Sequence, residues 1–348
     1  MGVKILSESF TFDDVLIRPG ESRMEPAEAS LKTNIAGIEL SLPFLSAAMD
    51  RVTGPQMAIA LGKLGALGVI HRNCSIEEQA AMVREAKAAG VKVAAACGPF
   101  AADRAKALDE AGVDAIVIDC AHGHNLNVVD SAKKIKKSLK HAKMIFGNIA
   151  TAEAANAVCA FADAVKVGVG PGSICTTRLI SGVGVPQLSA VLEVVAVANK
   201  KKVPVIADGG IRTSGDIAKA LAAGASAVML GNLFAGSDEA PGNVVEKDGK
   251  KFKEYRGMGS QAVISSASGK ERYFTHGRKA VPEGVEAYVP YKGPVGEIVA
   301  SLASGVQVGM GYVGAKTIPE FYKKAKFIRI THAAIAEGKP HSLAGITG

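Results

Sequence analysis

The sequence predicts an α/β protein in which eight parallel strands close into a (β/α)₈ barrel, with a long flap inserted after the eighth strand. Short β-branched runs recur along the 348-residue chain, and each is followed by glycine or polar residues and then by an alanine-rich helical stretch. Strands that alternate with helices pair in parallel, because each crossover between parallel strands needs a long connection. Eight such units favour a closed barrel over the alternative, a doubly wound sheet, which usually needs fewer repeats.

The predicted strands occupy residues 42–47, 66–70, 91–96, 115–119, 144–147, 164–167, 203–207 and 227–230. Between them, the helix starts carry local signals. Ser75 and Glu78 have the spacing of a capping box, in which each side chain accepts the other residue's backbone N–H. Thr213 and Asp216 are spaced in the same way and precede an apolar run at residues 217–223. These patterns predict the helices that alternate with the strands.

The composition is typical of a well-packed globular enzyme. Hydrophobic residues make up 48% of the chain and charged residues 21%, with 39 glycines and no tryptophan. The net charge is +8, but lysines cluster at 133–143 and 200–202, where the pattern indicates solvated helix ends. Aromatic residues are not interleaved with them, so we expect no nucleic-acid partner, and an anionic small substrate explains the charge equally well.

The cysteines indicate a reduced protein. Their number is odd and none lies in a Cys-x-x-Cys pair, so neither a disulfide framework nor a zinc ribbon is expected. They are Cys74, Cys97, Cys120, Cys159 and Cys175. No apolar run approaches the length of a membrane span, and the first ten residues lack the apolar segment of a signal peptide. We therefore expect a cytoplasmic protein with no membrane partner.

Reactive and polar residues fall where the predicted strands end, which is where a (β/α)₈ barrel carries its chemistry. They are Ser46, Met49 and Asp50 after the first strand, Asp119 after the fourth, Asn148 after the fifth, Cys175 after the sixth, Asp208 after the seventh and Asn232 after the eighth. This coincidence predicts a single active site at the carboxyl end of the barrel.

A glycine-rich loop after the sixth strand contains Gly168, Gly170 and Gly172 and leads to Cys175. Glycine permits the backbone conformations and the close ligand approach that such a loop requires. A deprotonated cysteine is a strong nucleophile, and hydroxyl groups and a guanidinium lie within three residues of this one. We therefore expect Cys175 to be a covalent catalyst. Because Pro171 interrupts the glycines, the loop lacks the G-x-G-x-x-G pattern of dinucleotide-binding folds.

Two further glycine-rich turns follow the seventh and eighth strands, at Gly209-Gly210 and at Gly231-Asn232. Phosphate commonly binds between these two loops of a barrel, on backbone N–H groups. The alternative is that these glycines only end the strands.

The segment after the eighth strand, residues 234–292, departs from the repeat. It is rich in glycine and charge and shows little apolar periodicity. A connection of this length is usually functional or disordered. We interpret it as a mobile flap over the barrel mouth.

Three segments carry a family resemblance. They are residues 12–16 (FDDVL), residues 46–50 (SAAMD) and residues 170–187, which include Ser173-Ile174-Cys175-Thr176-Thr177-Arg178. Together they resemble the inosine monophosphate dehydrogenase and guanosine monophosphate reductase family over nearly the entire chain. The resemblance implies a (β/α)₈ barrel, in agreement with the periodicity. It leaves three functions open: oxidation of IMP to XMP with reduction of NAD, NADPH-dependent deamination of GMP to IMP, or purine-nucleotide binding without turnover.

The features that separate the members of this family point in both directions. Residues 76–88 run directly into the third strand, so the regulatory module that most of the dehydrogenases carry after the second strand is absent. Residues 187–190 (QLSA) and 311–314 (GYVG) are also similar to the reductases. In contrast, residues 255–260 (YRGMGS) and Arg272-Tyr273 are similar to the dehydrogenases, in which the Arg-Tyr pair activates the hydrolytic water. Because a reductase has no hydrolysis step, we expect the dehydrogenase activity, in a single catalytic barrel domain over residues 1–348.

The resemblance also implies a role for each matching residue. Cys175 would add to the purine, Arg272 and Tyr273 would activate the water, and Thr177 with Glu283 would form an alternative proton route. The substrate-binding residues implied are Ser46, Met49, Ser173, Asp208, Gly209, Gly210, Gly231, Asn232, Tyr255, Gly257, Met258, Gly259 and Glu283. The cofactor implied is NAD, bound by Asp119, Cys120, Ala121, Asn148, Gly168 and Gly170.

A potassium ion and a homotetramer are implied as well. The ion would be bound by carbonyl oxygens of the cysteine loop, which suit a large monovalent cation. These carbonyls belong to Gly170, Gly172 and Cys175. A neighbouring subunit would complete the site with Glu337, Gly338 and Lys339, in a segment that departs from the family pattern.

Overall fold

The structure, a computed structural model, describes residues 8–265 and 281–340. In chain order the strands are β1 (Val15–Ile17), β2 (Thr33–Ile35), β3 (Ile38–Leu40), β4 (Phe44–Ser46), β5 (Gly68–Ile70), β6 (Val93–Cys97), β7 (Ala115–Asp119), β8 (Lys143–Ile149), β9 (Ala164–Val167), β10 (Val205–Asp208), β11 (Ala227–Leu230), β12 (Val244–Lys247), β13 (Lys250–Arg256), β14 (Glu286–Pro290) and β15 (Phe327–Arg329). Each of the strands β4 to β11 overlaps one of the eight predicted strands, with bounds that differ by at most two residues.

These eight strands form a (β/α)₈ barrel, which confirms the predicted fold. Consecutive strands from β5 to β11 pair in parallel, and β11 pairs in parallel with β4. A parallel bridge between Leu45 and Leu67 joins β4 to the residue before β5 and closes the barrel.

The helices lie between the strands as the alternation predicts. They are α1 (Pro55–Lys63), α2 (Ile76–Ala88), α3 (Ala102–Glu110), α4 (Leu126–Ser138), α5 (Ala152–Val158), α6 (Thr177–Ser181), α7 (Gln187–Ala198), α8 (Ser214–Ala222), α9 (Asn232–Ala235), α10 (Gln261–Ile264), α11 (Val295–Val313), α12 (Ile318–Lys324) and α13 (His332–Glu337). The capping box at α2 is confirmed: the Ser75 hydroxyl accepts the Glu78 N–H at 3.1 Å, and the Glu78 carboxylate accepts the Ser75 N–H at 2.8 Å. Among the described residues, no helix combines the length and the apolarity needed to cross a membrane.

The barrel interior is filled by apolar side chains that alternate along the strands. This inner cluster includes Leu45, Leu67, Val69, Ala94, Ala96, Val117, Ile145, Ile206 and Met229. The hairpin of β2 and β3 adds Ile35, Ile38 and Leu40 to it, and these residues cover the amino end of the barrel. A second, larger apolar layer packs the strands against the helices. With the amino end covered, the carboxyl end remains as the mouth.

The helix α11 packs against α8 and α1, and it therefore takes the place of the eighth outer helix of the barrel. The flap is the segment inserted between β11 and this helix. Its described part is more regular than the sequence suggested: β12, β13 and β14 form an antiparallel sheet. The alternation of apolar and polar residues that identifies a strand is interrupted in β13, since Lys253 occupies a position that is only 2% exposed. A charged residue at an inward position removes the alternation by which a strand is recognised.

Candidate active site

A cavity of about 390 Å³ opens at the carboxyl end of the barrel, between the strand-end loops and the flap. It brings together most of the residues that the sequence predicted for the site. Those that line it are Met49, Asp119, Cys120, Ala121, Asn148, Gly168, Gly170, Gly172, Ser173, Cys175, Thr177, Asp208, Gly209, Gly210, Gly231, Asn232, Tyr255, Gly257, Met258, Gly259 and Glu283. Residues from distant parts of the chain therefore share one cavity because each follows a barrel strand or returns from the flap.

The loop that carries Cys175 leaves β9 at Gly168. A Cβ atom at Gly168 would lie 2.1 Å from the carbonyl oxygen of Asp208, so the close approach of these two strand ends requires glycine. Gly170 has a φ of +79°, in the left-handed region, and packs directly against the side chain of Arg178. The Cys175 N–H donates to the carbonyl of Gly172 at 3.1 Å, which closes the turn that presents the thiol to the cavity.

A chain of hydrogen bonds begins at the sulfur of Cys175. The thiol donates to Oγ1 of Thr177 at 3.1 Å, and the Thr177 hydroxyl donates to the Glu283 carboxylate at 2.6 Å. The chain links a residue of the barrel to a residue of the flap that is 106 positions away from Thr177. It provides a path along which a proton can move between the sulfur and a carboxylate.

Backbone hydrogen bonds hold the flap against the cysteine loop. The Thr176 N–H donates to the carbonyl of Glu283 at 3.0 Å, and the Val285 N–H donates to that of Ile174 at 3.1 Å. The Glu283 N–H donates in turn to the carbonyl of Gly259 at 3.0 Å. The position of Glu283 relative to Cys175 is thus fixed by the main chain as well as by side chains.

Arg178 stabilises the shape of the cysteine loop. Its Nε and Nη2 both donate to the carbonyl of Val169 at 3.3 Å, and Nη2 also donates to that of Val185. Burial lowers the pKa of Arg178, and the nearby Cys175 opposes this effect. The guanidinium that the sequence places beside the nucleophile therefore joins the segments on either side of α6.

A buried polar cluster lies beneath the loop, around Lys166 on β9. Lys166 is 2% exposed, and its Nζ lies 3.3 Å from Oδ1 of Asp119 and 2.6 Å from Oδ2 of Asp208. Nζ also donates to Asn148, whose Nδ2 donates to the carbonyl of Gly168 at 2.7 Å and to Asp208 at 2.9 Å. Asn148 thus links the start of the cysteine loop to Asp208. Sequence reasoning missed Lys166, although a lysine inside an apolar strand was a signal.

At the other end of the cavity, Tyr255 is 4% exposed, and its hydroxyl oxygen lies 3.8 Å from Sδ of Met49. Burial raises the pKa of Tyr255 to about 12, although a hydrogen bond with Ser173 acts in the opposite direction. A Cβ atom at Gly231 would lie 2.9 Å from the Tyr255 hydroxyl oxygen, so glycine leaves room for the phenol. Two hydroxyl groups beside glycine turns form a set of donors that suits an anionic, oxygen-rich group.

Some predicted residues are not brought into the cavity. Ser46 is fully buried within β4, where its hydroxyl oxygen accepts the N–H of Val69 at 3.4 Å, so it does not line the cavity. Arg272 and Tyr273 lie outside the described residues. The three C-terminal residues predicted for the potassium site, Glu337, Gly338 and Lys339, lie at the end of α13 and after it, and are not part of the cavity wall. Within residues 8–265 and 281–340, no group of three or more His, Cys, Asp or Glu side chains is arranged to hold a metal ion.

Other lining residues were also not predicted for the site, among them Asp13, Gln187 and Arg212. The Nε2 of Gln187 donates to the carbonyls of Val167 and Asp208, at 2.9 and 3.1 Å, and so joins the ends of β9 and β10. Arg212 pairs with Asp13. Asp13 and Gln187 both lie in segments that carry the family resemblance, and this could have identified them.

Comparison with known proteins agrees with this geometry. The sequence profile described as the IMP dehydrogenase / GMP reductase domain matches residues 9–341. Three curated relatives are named inosine-5'-monophosphate dehydrogenase. The protein of Methanocaldococcus jannaschii is 41% identical (97% of this chain, 95% of the relative), that of Halobacterium salinarum 39% (97% and 94%), and that of Borreliella burgdorferi 40% (99% and 99%). The first two alignments span 473 and 469 positions, more than this chain has residues, so both relatives contain segments that it lacks. The chain belongs to the IMP dehydrogenase / GMP reductase family.

Proposed function

We propose that the chain oxidises IMP to XMP and reduces NAD, through a covalent adduct on Cys175. The observation that carries this proposal is the hydrogen-bond chain from the Cys175 thiol through Thr177 to Glu283 inside the cavity. It joins a nucleophile to a carboxylate that can take its proton, as nucleophilic catalysis requires. The relatives named above carry the name of this activity.

The substrate would lie with its phosphate toward Ser173, Tyr255 and the glycine turns after β10 and β11. A neutral Tyr255 hydroxyl is a hydrogen-bond donor, and burial keeps it neutral throughout the physiological pH range. The Asp208 carboxylate would accept the ribose hydroxyls, and Met258 with its neighbouring glycines would contact the purine. In this orientation the purine lies between the flap and Cys175.

Catalysis would proceed in two stages. The thiolate of Cys175 adds to C2 of the purine, and C2 then loses a hydride, which leaves a thioimidate on the enzyme. Water next attacks C2 and displaces the sulfur, so that XMP is released and one proton remains to be removed. Arg272 and Tyr273 are the residues that we propose for activating this water, with Thr177 and Glu283 as the second proton route.

The cofactor proposed is NAD, which would accept the hydride. The lining residues Asp119, Cys120 and Ala121 at the end of β7 would hold its nicotinamide half, beside the cysteine loop. The donor set fits such a group, because a carboxylate stands at the mouth of the barrel, where ribose hydroxyls would need an acceptor. Asn148 would keep Gly168 and Gly170 in position against the cofactor.

We further propose a homotetramer, a potassium ion on the carbonyls of the cysteine loop, and a cytoplasmic location. Leu179, Ile180 and Val183 follow the cysteine loop and are exposed, and a second subunit would cover them. Exposed apolar groups that lie together commonly mark an interface. The odd number of cysteines suits a reducing compartment.

The nearest alternative, GMP reduction, would use the same cysteine and the same Thr177–Glu283 pair, which the described residues already bring together. It would need no water-activating pair on the flap. The enzyme should therefore be supplied with IMP and NAD in one assay and with GMP and NADPH in another. Formation of NADH in the first assay supports our proposal, and turnover in the second alone would replace it with the reductase.

The covalent step is tested by Cys175→Ala. We expect this variant to bind IMP and to form no NADH, because the hydride leaves C2 only after sulfur has added to it. Intact-mass spectrometry of the parent enzyme with IMP and NAD should show a nucleotide adduct that the variant lacks. Cys159→Ala is the matched control, since Cys159 is a buried cysteine outside the cavity. Steady turnover by Cys175→Ala would eliminate the covalent mechanism.

A further inference from the structure

One ion pair beside the cavity, built on a buried carboxylate, has no part in the proposed chemistry. Asp50, in the turn after β4, is 8% exposed and pairs with Arg256 at the end of β13. The Nε of Arg256 lies 3.1 Å from each carboxylate oxygen of Asp50, and Nη2 also donates to Oδ2. Asn73, after β5, donates to the same carboxylate at 2.6 Å. Two strand-end loops of the barrel are thus joined to the flap at one carboxylate.

Asp50 stands on a rigid part of the barrel. The N–H groups of Val52 and Thr53 both donate to the carbonyl of Met49 at 2.9 Å, and the Thr53 hydroxyl donates to the carbonyl of Ala47 at 2.7 Å. These bonds fix the turn that carries Asp50. The Asp50 carboxylate therefore fixes the position of Arg256 relative to the barrel.

Arg256 is placed between two groups of the proposed nucleotide site. Tyr255 precedes it, and residues 257–259, which we name the base loop, follow it and line the cavity. The Gly257 N–H donates to the carbonyl of Val285 at 3.0 Å, so the base loop is also connected to the segment that carries Glu283. A shift of Arg256 would move the base loop within the cavity.

We propose that Asp50 is a positioning residue for the purine nucleotide, acting through Arg256 to hold the base loop at the depth at which it contacts the base. This inference rests on the proposed function only in that the cavity takes a purine nucleotide. According to this proposal, the turn after β4 contributes to substrate recognition indirectly, through its contact with the flap. Asp50 itself does not line the cavity.

The electrostatics of the two groups favour the charged form of each. Burial alone would raise the pKa of Asp50, but hydrogen bonds from Arg256 and Asn73 outweigh it and hold that pKa below its usual value. The hydrogen bond with Asp50 raises the pKa of Arg256. Both groups remain charged at neutral pH, and the bidentate contact restricts direction as well as distance.

The test is Asp50→Asn, which keeps the size of the side chain and removes its charge. We expect the calorimetric Kd for the nucleotide and the KM for IMP to rise about tenfold or more, because the loss of the charge-assisted bidentate contact releases Arg256 and with it the base loop. The KM for NAD should stay within about twofold and kcat within about threefold, since separate backbone bonds hold Glu283 beside Cys175. A merely structural role would lower the melting temperature without this selective effect on the nucleotide.

A matched control exists in the neighbouring ion pair. Arg51 and Glu254 join the same turn to the same strand at 3.0 Å, but the Glu254 side chain is 48% exposed. We expect Glu254→Gln to leave every constant unchanged, because exposed pairs contribute little. In the double variant Asp50→Asn/Arg256→Gln, the rise in Kd should be smaller than the product of the rises in the two single variants, because no unpaired charge remains.

Binding is measured with both IMP and GMP, so that a failure of this inference and a failure of the proposed function give different results. If the parent enzyme converts GMP with NADPH but does not convert IMP with NAD, the dehydrogenase proposal is overturned. The comparison of Asp50→Asn with the parent is then made with GMP. An unchanged nucleotide Kd in Asp50→Asn overturns the inference, as does an equal rise in the KM for IMP and for NAD. A parent enzyme that binds neither nucleotide overturns both.

Discussion

In the mechanism that we propose, Cys175 acts as a nucleophile only after its proton has left, and the hydrogen-bond chain offers a path for that proton. The Thr177 hydroxyl can pass a proton along but does not keep it, because it gives one up when it accepts another. Glu283 accepts the hydrogen bond from Thr177 at 2.6 Å and is an acid–base group at the end of the chain. In this proposed mechanism, the barrel therefore supplies the nucleophile and the flap supplies the group that takes its proton.

Replacing Glu283 by Gln should therefore slow the first stage of the reaction. An amide has no basic oxygen to take a net proton, so we expect the rate of the NADH burst to fall about 10²-fold, the usual loss when a general base is removed. Stopped-flow absorbance of NADH measures this burst. Glu246→Gln, exposed on β12, is the control and should behave as the parent. An unchanged burst in Glu283→Gln would mean that the proton leaves Cys175 by another route.

The sequence predicts some of these residues and not others, for a physical reason. Cys175, Thr177 and the glycines belong to one short segment whose order carries the signal. Lys166 bonds to residues 47 and 42 positions away, so its role depends on which strands are neighbours in the barrel. Contacts of this kind follow from the closed fold and have no local pattern.

At the scale of whole elements, the barrel strands were predictable because each is an apolar run that is followed along the chain by a helix. The flap sheet was not, because β13 carries lysine at an inward position. Lys253 donates through Nζ to the carbonyls of Ser237 and Asp238, at 2.9 and 3.4 Å, and to that of Ala240. Burial lowers the pKa of Lys253. Lys253 therefore points inward and donates hydrogen bonds to backbone carbonyls, at a strand position where an apolar residue would be expected.

We expect Lys253→Met to destabilise the protein although it adds an apolar group to a buried position. The change leaves backbone carbonyls without their charged donor, and the loss of such a hydrogen bond typically costs about 1.5–3 kcal/mol. The measurement is urea unfolding, with Lys250→Met at the exposed start of β13 as the control. If Lys253→Met unfolds at the same or a higher urea concentration than the parent, the carbonyl contacts do not stabilise the flap.

At the scale of the whole molecule, several buried carboxylates fix loops to the barrel and tie its stability to pH. Asp109, 5% exposed, accepts the N–H groups of Lys140, His141 and Ala142 at 2.7, 3.2 and 2.7 Å. Burial alone would raise its pKa, but these three bonds outweigh it and lower the pKa below the usual value. The pKa of Asp14 is lowered in the same sense by hydrogen bonds with Thr11.

A carboxylate whose pKa is lower in the folded state stabilises that state above its unfolded pKa of about 4. This stabilisation is lost as the pH falls through the pKa of the folded state, because a protonated carboxyl group no longer accepts these hydrogen bonds as strongly. The unfolding free energy of the parent should therefore decrease as pH falls below about 4. Asp50 and Asp14 contribute in the same direction as Asp109.

Asp109→Asn isolates one of these contributions. We expect it to lower the unfolding free energy at pH 7 by about 1–3 kcal/mol, because an amide is a weaker acceptor than a carboxylate and brings an NH₂ group against backbone donors. The difference from the parent should shrink as pH falls below about 4, where Asp109 of the parent becomes protonated as well. Urea unfolding at pH 7, 5, 4 and 3 measures both curves, with Asp130→Asn on the exposed face of α4 as the control. A difference that stays constant across this range would show that Asp109 acts through packing, and that its charge does not hold the loop before β8.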